Sequence, residues 1–214
     1  MGLAFSSGHY LALRDMAATS IGPAYRSVWH RDPAGAWTMF TTTDPELSCP
    51  RYFGAACAQI ERVAGIDATW TDGDMLHVRM GDRLSWQVQL GRSASTRLMS
   101  GMGRMMPARA WRSDVLMAAM GPMAGPMLRS GRVRLRGQTP NRQHFRAAPV
   151  RVWRVIDSTA VLDGVELGRP GPLDQQTRLG DFWLPQRGIF FLATAEFEAA
   201  DDPVVASAPK AGRS

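Results

Sequence analysis

The sequence predicts a mainly β fold: an antiparallel β-barrel or sandwich with a methionine-rich helical insert at about residues 95–130. About nine or ten short strand candidates follow one another with turn signals between them, which is typical of such folds. Strands and helices do not alternate regularly, so the 21 glycines do not indicate a dinucleotide-binding fold. We expect a single domain over residues 1–199 and a flexible tail over residues 200–214.

The N-terminal part of the chain predicts an arm followed by a hairpin. Residues 1–24 have little hydrophobic periodicity, and we expect a short helix or arm around residues 10–18. The sequence Asp-Pro-Ala-Gly then forms a turn between strands at 25–31 and 36–42. The second strand carries large side chains on both faces, as expected in a closed or covered sheet.

Further strands are separated by short turns rich in Gly and Asp. Residues 84–90 give the clearest pattern, because apolar residues at even positions alternate with polar residues at odd positions. A connection with two prolines, which includes a helical turn, is expected at 44–54. The remaining strands are predicted at 67–71, 75–80, 132–136, 150–156, 160–163 and 189–198.

The insert is predicted to contain two helices. Apolar residues recur at helical spacing near 95–106 and 113–120, and Ser113 followed by Asp114 is a favourable helix start. Gly-Pro pairs at 121–122 and 125–126 predict a kinked turn after the second helix. The eight methionines between positions 99 and 127 leave three alternatives: a lid over a ligand, packing on the barrel, or contact with a membrane surface.

The basic residues exclude several enzyme classes. The net charge is +6, yet Lys210 is the only lysine, and we attribute the excess of arginine to a GC-rich, bacterial genome. Lys210 lies in the predicted tail, so the folded part has no lysine for a Schiff base or a phosphate-binding loop. Pyridoxal-phosphate enzymes and P-loop nucleoside triphosphatases are therefore not expected, and no cofactor is expected.

Cysteine and histidine usage predicts a cytoplasmic protein without a metal site. Cys49 and Cys57 do not make a disulfide framework or a CxxC pair, and we expect free thiols. The four histidines occur singly, without the spacing of metal ligands. No secretory leader is predicted at the N-terminus.

The seven tryptophans predict a small-molecule site or a filled core. If several indoles point into one barrel, they line an apolar cavity with a few N–H donors. On that hypothesis the ligand-binding residues are Trp29, Trp86, Trp153, Trp183, Met120 and Gln186.

Candidate catalytic groups are scattered along the chain. His30 lies two residues from Asp32, so an imidazole–carboxylate pair on one strand face is one hypothesis. In an enzyme, Asp181 or His30 would move a proton, and Tyr52 or Arg187 would polarise an oxygen.

Arginines at 132, 134 and 136 share one face of a predicted strand. Such a stripe suits an anionic ligand or membrane headgroups, but it most simply covers the solvent side of the sheet. Aromatic residues are not interleaved with it, so we expect no nucleic-acid partner.

Residues 66–90 resemble part of the lipocalin-like (calycin) superfamily, with the hydroxyneurosporene synthase and AttH-type families as the nearest match. In those barrels a strand with a central Trp and alternating aliphatic residues follows a short hairpin, as it does here. The resemblance implies binding of an isoprenoid, polyketide or lipid-like molecule, or its cofactor-free isomerisation, cyclisation or hydration. The alternative is a non-catalytic membrane-surface or scaffold protein that uses the methionine-rich helices and the arginine stripe. Oligomeric state is not predicted.

Overall fold

A computed structural model describes residues 1–198, so the predicted tail at 200–214 lies outside the described residues. The fold is mainly β, with 43% strand and 20% helix. Ten strands form a mixed sheet that curls through 233° into an open half-barrel. The predicted fold class is confirmed.

The main sheet has the strand order β5-β4-β3-β2-β1-β14-β10-β8-β7-β6, with β9 and β11 added beside β10 and a separate β12–β13 hairpin. The strands are β1 (Gly2–Ala4), β2 (Tyr10–Met16), β3 (Tyr25–Arg31), β4 (Trp37–Thr41), β5 (Gln59–Arg62), β6 (Asp67–Thr71), β7 (Met75–Met80), β8 (Leu84–Gly91), β9 (Arg136–Gln138), β10 (His144–Leu162), β11 (Val165–Glu166), β12 (Arg178–Leu179), β13 (Phe182–Trp183) and β14 (Ile189–Phe197).

The structure corrects three predictions about segments of the sheet. The arm or helix expected around residues 10–18 is strand β2, whose periodicity is hidden because both of its faces are buried. The strands expected at 150–156 and 160–163 are one continuous strand, β10, which bends at two register shifts. The strand expected at 132–136 is reduced to β9, which begins at Arg136.

Three strands of the sheet, β1, β5 and β11, were not predicted. Strand β5 pairs with β4 in parallel, so the sheet is mixed, where the sequence predicted only antiparallel pairing. A parallel pair needs a crossover, and the helical turns between Thr41 and Gln59 supply it.

The helical insert is confirmed, and its second helix is longer than predicted. The helices are α1 (Pro50–Phe53), α2 (Ala94–Met105), α3 (Ala108–Trp111) and α4 (Asp114–Leu128), with short 3-10 turns at Pro45–Leu47 and Gly54–Ala56. Ser93 and Thr96 cap α2 reciprocally, and the Ser113 side chain caps α4. Within residues 1–198, no helix is long and apolar enough to cross a membrane.

Helix α4 continues through Pro122 and Pro126, where the sequence predicted a kinked turn. Each proline follows a glycine, and the steric clash between a proline ring and the preceding residue depends in part on that residue's Cβ. Gly121 and Gly125 remove this part of the clash, so the helix runs on to Leu128.

The sheet buries a core on each of its faces. The cluster on the inner face of the curl contains residues from both ends of the sheet, such as Phe40 of β4 and Val78 of β7. On the outer face, one cluster lies under α1 and the β12–β13 region, and two smaller clusters lie under the insert. The insert and the β12–β13 hairpin therefore cover the outside of the half-barrel.

Candidate ligand-binding site

The inner face of the half-barrel is packed with side chains. Trp86 is fully buried there, and its indole N–H donates a 2.9 Å hydrogen bond to Ser158 Oγ. Leu76, Val78 and Val88 surround it with no more than 1% exposure. The centre of the barrel is therefore a core.

An enclosed apolar cavity of about 90 Å³ lies on the outer face, between the insert and the central strands. Helices α2 and α4 form its roof through Met99, Met120, Ala124 and Leu128, and strands β10 and β14 form its floor. Val152, Ile189 and Phe191 are the largest floor residues. Its lining is mostly apolar, as in binding sites for small hydrophobic molecules, but its volume is smaller than the roughly 300–1,000 Å³ of such sites.

Two glycines hold α4 against the segment that forms one side of this cavity. A Cβ atom built on Gly121 would lie 2.7 Å from Val133 O, and one on Gly125 would collide with Gly131 O. Only glycine at these positions permits so close an approach of helix and backbone. The same helix face borders the groove next to the cavity.

That groove is wide and open, with a volume of about 1200 Å³. It shares Val133, Arg134, Leu135 and Trp183 with the lining of the enclosed cavity, so the two spaces adjoin along this wall. The guanidinium of Arg132 lies over the Trp183 ring at 5.2 Å. The groove therefore has a basic rim, and the cavity on the other side of this wall is mostly apolar.

Arg14 of β2 is the unusual group of the cavity. Its side chain is surrounded by protein, and it keeps accessible surface because it lines the cavity. The guanidinium stacks on Trp29 at 4.6 Å, and it lies 5.4 Å from Phe182 and 5.9 Å from Phe191. Cation–π contacts of this kind contribute about 0.5–2 kcal/mol each.

No carboxylate within residues 1–198 forms a salt bridge with Arg14. Its one hydrogen bond in that part of the chain goes from Nη1 to Met1 O, at a long 3.4 Å. Burial lowers the pKa of the Arg14 guanidinium from its usual value, and the neighbouring Cys49, Tyr10 and Tyr25 oppose this effect. Arginine still stays protonated at neutral pH, so the site holds a cation that no carboxylate of residues 1–198 neutralises.

Tyr10 adds a second unsatisfied group on the same strand face as Arg14. Its buried hydroxyl has no hydrogen-bond partner within the described part of the chain. The hydroxyl lies next to Gly2, which lines the cavity. A Cβ atom built on Gly2 would lie 2.5 Å from the Tyr10 hydroxyl oxygen. Buried hydroxyls normally have a partner, so residues 1–198 leave the Tyr10 hydroxyl unsatisfied and the Arg14 guanidinium only weakly bonded.

The structure places two of the six predicted ligand-binding residues at this cavity, Met120 and Trp183. Trp29 is buried behind it and contacts it only through Arg14. Trp86 is in the inner core, and Trp153 is half-buried against Phe190 at 5.5 Å on the inner face. Gln186 holds a loop, because its side-chain amide bonds the backbone N–H and C=O of Leu173.

The predicted catalytic residues do not converge. Asp181 is paired with Arg134 at 2.6 Å and accepts a 3.1 Å hydrogen bond from the Gln138 backbone N–H, so it reaches the cavity only through Arg134. Tyr52 is stacked on Phe197 with ring centroids 4.0 Å apart, and Arg187 is exposed. His30 lies on the opposite face of the sheet from Arg14.

His30 lines a separate pocket of about 280 Å³ at one end of the inner face. Its Nε2 lies 2.9 Å from Nδ1 of His9, and the two rings are stacked. Burial, reinforced by the neighbouring His9, lowers the pKa of His30 to about 4. Burial also lowers the pKa of His9. Both rings are therefore neutral at pH 7.

Arg14 was not predicted as a functional residue. The sequence did contain a signal for Arg14. In a strand, Tyr10, Ala12 and Arg14 lie on the same face, so the arginine places a charge on a buried face. The segment was expected to be a helix or arm, however, and in that setting an arginine has no special meaning.

Fold and site together define an open half-barrel with an apolar cavity outside the barrel, under a helical insert. Comparison with models of known families, with curated protein sequences and with solved structures finds no match. The function is therefore argued from the site itself.

Proposed function

We propose that the protein binds a hydrophobic small molecule in the enclosed cavity between the helical insert and the outer face of the half-barrel. The observation that carries this proposal is the cavity's lining, which is almost entirely aliphatic and aromatic and joins a wide groove. Burying an apolar chain in such a recess stabilises the complex by about 25 cal/mol per Å² removed from water.

The size of the two spaces favours an elongated, lipid-like ligand. The enclosed cavity has only about 90 Å³, which admits a short segment of a molecule. The groove of about 1200 Å³ accommodates the rest. The methionines of the roof, Met99 and Met120, have flexible side chains that adapt to a ligand's shape.

The proposal is limited to binding. The charged side chains that line the enclosed cavity are Arg14 and Arg134, and neither is suited to exchange protons near neutral pH. The lipocalin-like resemblance and the isomerase, cyclase or hydratase activities it implies stay predictions.

Cavity filling tests the proposal. Ala124 is 4% exposed on the cavity face of α4, whereas Ala119 is on the exposed face of the same helix. We expect Ala124→Phe to weaken binding of decan-1-ol and decanoate by tenfold or more, and Ala119→Phe to leave it unchanged. Native mass spectrometry measures the bound fraction, and circular dichroism checks that both variants fold. Equal binding by both variants would place the ligand elsewhere.

A membrane-surface function is the second candidate, because the outer side of the insert exposes large apolar residues. Met105 is 85% exposed and Val115 is 82% exposed, and Leu98, Met102 and Met123 are also exposed. Exposed apolar patches often mark contact surfaces. This function needs no cavity, so Ala124→Phe would leave membrane association intact.

A further inference from the structure

We propose that Arg14 is the anion-binding residue of the cavity, and that the ligand is a hydrophobic carboxylic acid whose carboxylate pairs with its guanidinium. This inference rests on the proposed function and names its ligand class. It follows from the Arg14 guanidinium, whose one hydrogen bond within residues 1–198 is a long one to Met1 O, and from the nearby Tyr10 hydroxyl, which has no partner among those residues.

The recess explains why an acid is preferred over a neutral molecule. Folding places the Arg14 guanidinium against three aromatic rings and brings no carboxylate from residues 1–198 to it. A neutral ligand would leave this cation unpaired in an even drier environment once water is expelled. A carboxylate supplies the missing charge and accepts charge-assisted hydrogen bonds, which are the strongest available there.

The arginines of the groove are less suited to this role. Arg134 is already paired with Asp181, and Arg136 lies 3.5 Å from Asp114. Arg132 is exposed and stacked on Trp183, so water competes for its charge. Arg14 is the deep cation of the site, and a single cation matches a monoanion such as a carboxylate.

The orientation of the ligand follows from this placement. The carboxylate lies at the β2 end of the cavity, near Gly2 and Arg14. The apolar chain passes between the roof methionines and the strands, and it leaves towards the groove beside Leu135 and Trp183. A chain longer than the enclosed cavity is thus accommodated without a second polar group.

The test compares decanoate with decan-1-ol, which have the same chain and differ in the charged head. Titration calorimetry at pH 7.5 measures both affinities for the full-length protein. We expect wild type to bind decanoate about 10- to 100-fold more tightly than the alcohol. Arg14→Met should reduce this ratio to near one, and Arg14→Lys should reduce it in part, because lysine keeps a charge but loses the stacking on Trp29 and the two-donor geometry of the guanidinium.

Arg132→Met is the matched control, since it removes an arginine from the same site at the exposed rim. We expect this variant to keep the wild-type preference for the acid. Loss of the preference in Arg132→Met but not in Arg14→Met would place the carboxylate in the groove and overturn the inference. Equal affinity of wild type for acid and alcohol would overturn it while leaving the proposed function intact. Binding of neither compound would remove both.

Stability provides a readout that separates binding from structure. Because no carboxylate of residues 1–198 neutralises the Arg14 charge, Arg14→Met should unfold at the same or a higher temperature than ligand-free wild type. Decanoate should raise the melting temperature of wild type and not that of Arg14→Met. A marked fall in the melting temperature of ligand-free Arg14→Met would show that Arg14 serves folding, and would contradict the inference.

Discussion

At the scale of single residues, the surroundings of a side chain decide its role more than its type does. Trp86 and Trp183 are both tryptophans of strand regions, yet one is a core residue and the other borders the cavity. Asp181 and Arg14 are both charged groups near the insert. Asp181 forms a salt bridge with Arg134, whereas no carboxylate of residues 1–198 forms one with Arg14. The chemistry available to the site therefore follows from which partners the fold supplies.

His30 predicts a loss of stability in mild acid. Its folded-state pKa is about 4, below its ordinary value of 6.5, so the unfolded chain binds a proton more readily between these values. The free energy of unfolding should fall as the pH drops from 6.5 to 4. Since the ring is partly exposed, we expect a contribution of about 1–2 kcal/mol. Urea unfolding at pH 7 and pH 4.5 measures it.

The matched variants for this prediction are His30→Gln and His144→Gln. His30→Gln should lose less stability than wild type between the two pH values, whereas His144→Gln, altered at an exposed histidine, should lose as much as wild type. The loss attributed to His30 would be refuted if His30→Gln and wild type showed the same pH dependence. The nearby carboxylates of Asp32 and Asp163 oppose the shift, and they are unchanged in both variants.

At the scale of elements, helix α4 depends on glycine for its position. Gly121 and Gly125 allow its backbone to approach residues 131–133, and this contact sets the height of the cavity's roof. The glycines thereby connect a Gly-Pro repeat, which looks like a helix breaker in the sequence, with the shape of the site.

Gly125→Ala should therefore destabilise the protein by about 1–3 kcal/mol, because the added methyl collides with Gly131 O and forces α4 outward. Gly101→Ala in α2 is the control, since a Cβ at Gly101 meets nothing within 4 Å. It should stabilise the protein by about 0.5–1 kcal/mol through helix propensity. Denaturant titration measures both variants. A stabilising Gly125→Ala would mean that α4 is not tightly held.

Sequence patterns predicted the elements whose signals are local. Strands 84–90 and 75–80 alternate cleanly or follow tight turns, and the structure confirms them as β8 and β7. Strand β2 was missed because its two buried faces erase the alternation that marks a half-buried strand. The course of α4 through Pro122 and Pro126 was missed because it depends on contacts with residues distant in sequence.

At the scale of the whole molecule, the sheet separates two roles. The centre of its inner face is filled by a core, with a pocket beside His30 at one end, and its outer face carries the apolar cavity and the insert. Composition predicted the tryptophan-rich interior. It could not predict on which face a cavity remains, because that depends on how the insert packs over β10 and β14. Met120 and Trp183 were predicted as ligand-binding residues, and Arg14 required the fold.

The most direct test of the central claim is to map the ligand by NMR of protein labelled with ¹³C at the methionine methyl groups. Met99 and Met120 line the proposed cavity, whereas Met39 and Met80 are buried elsewhere, at 0% and 3% exposure. Saturation with decanoate or decan-1-ol should shift the signals of Met99 and Met120 and leave those of Met39 and Met80 in place. Shifts confined to Met39 and Met80, or no shift at saturation, would contradict a binding site beneath the insert.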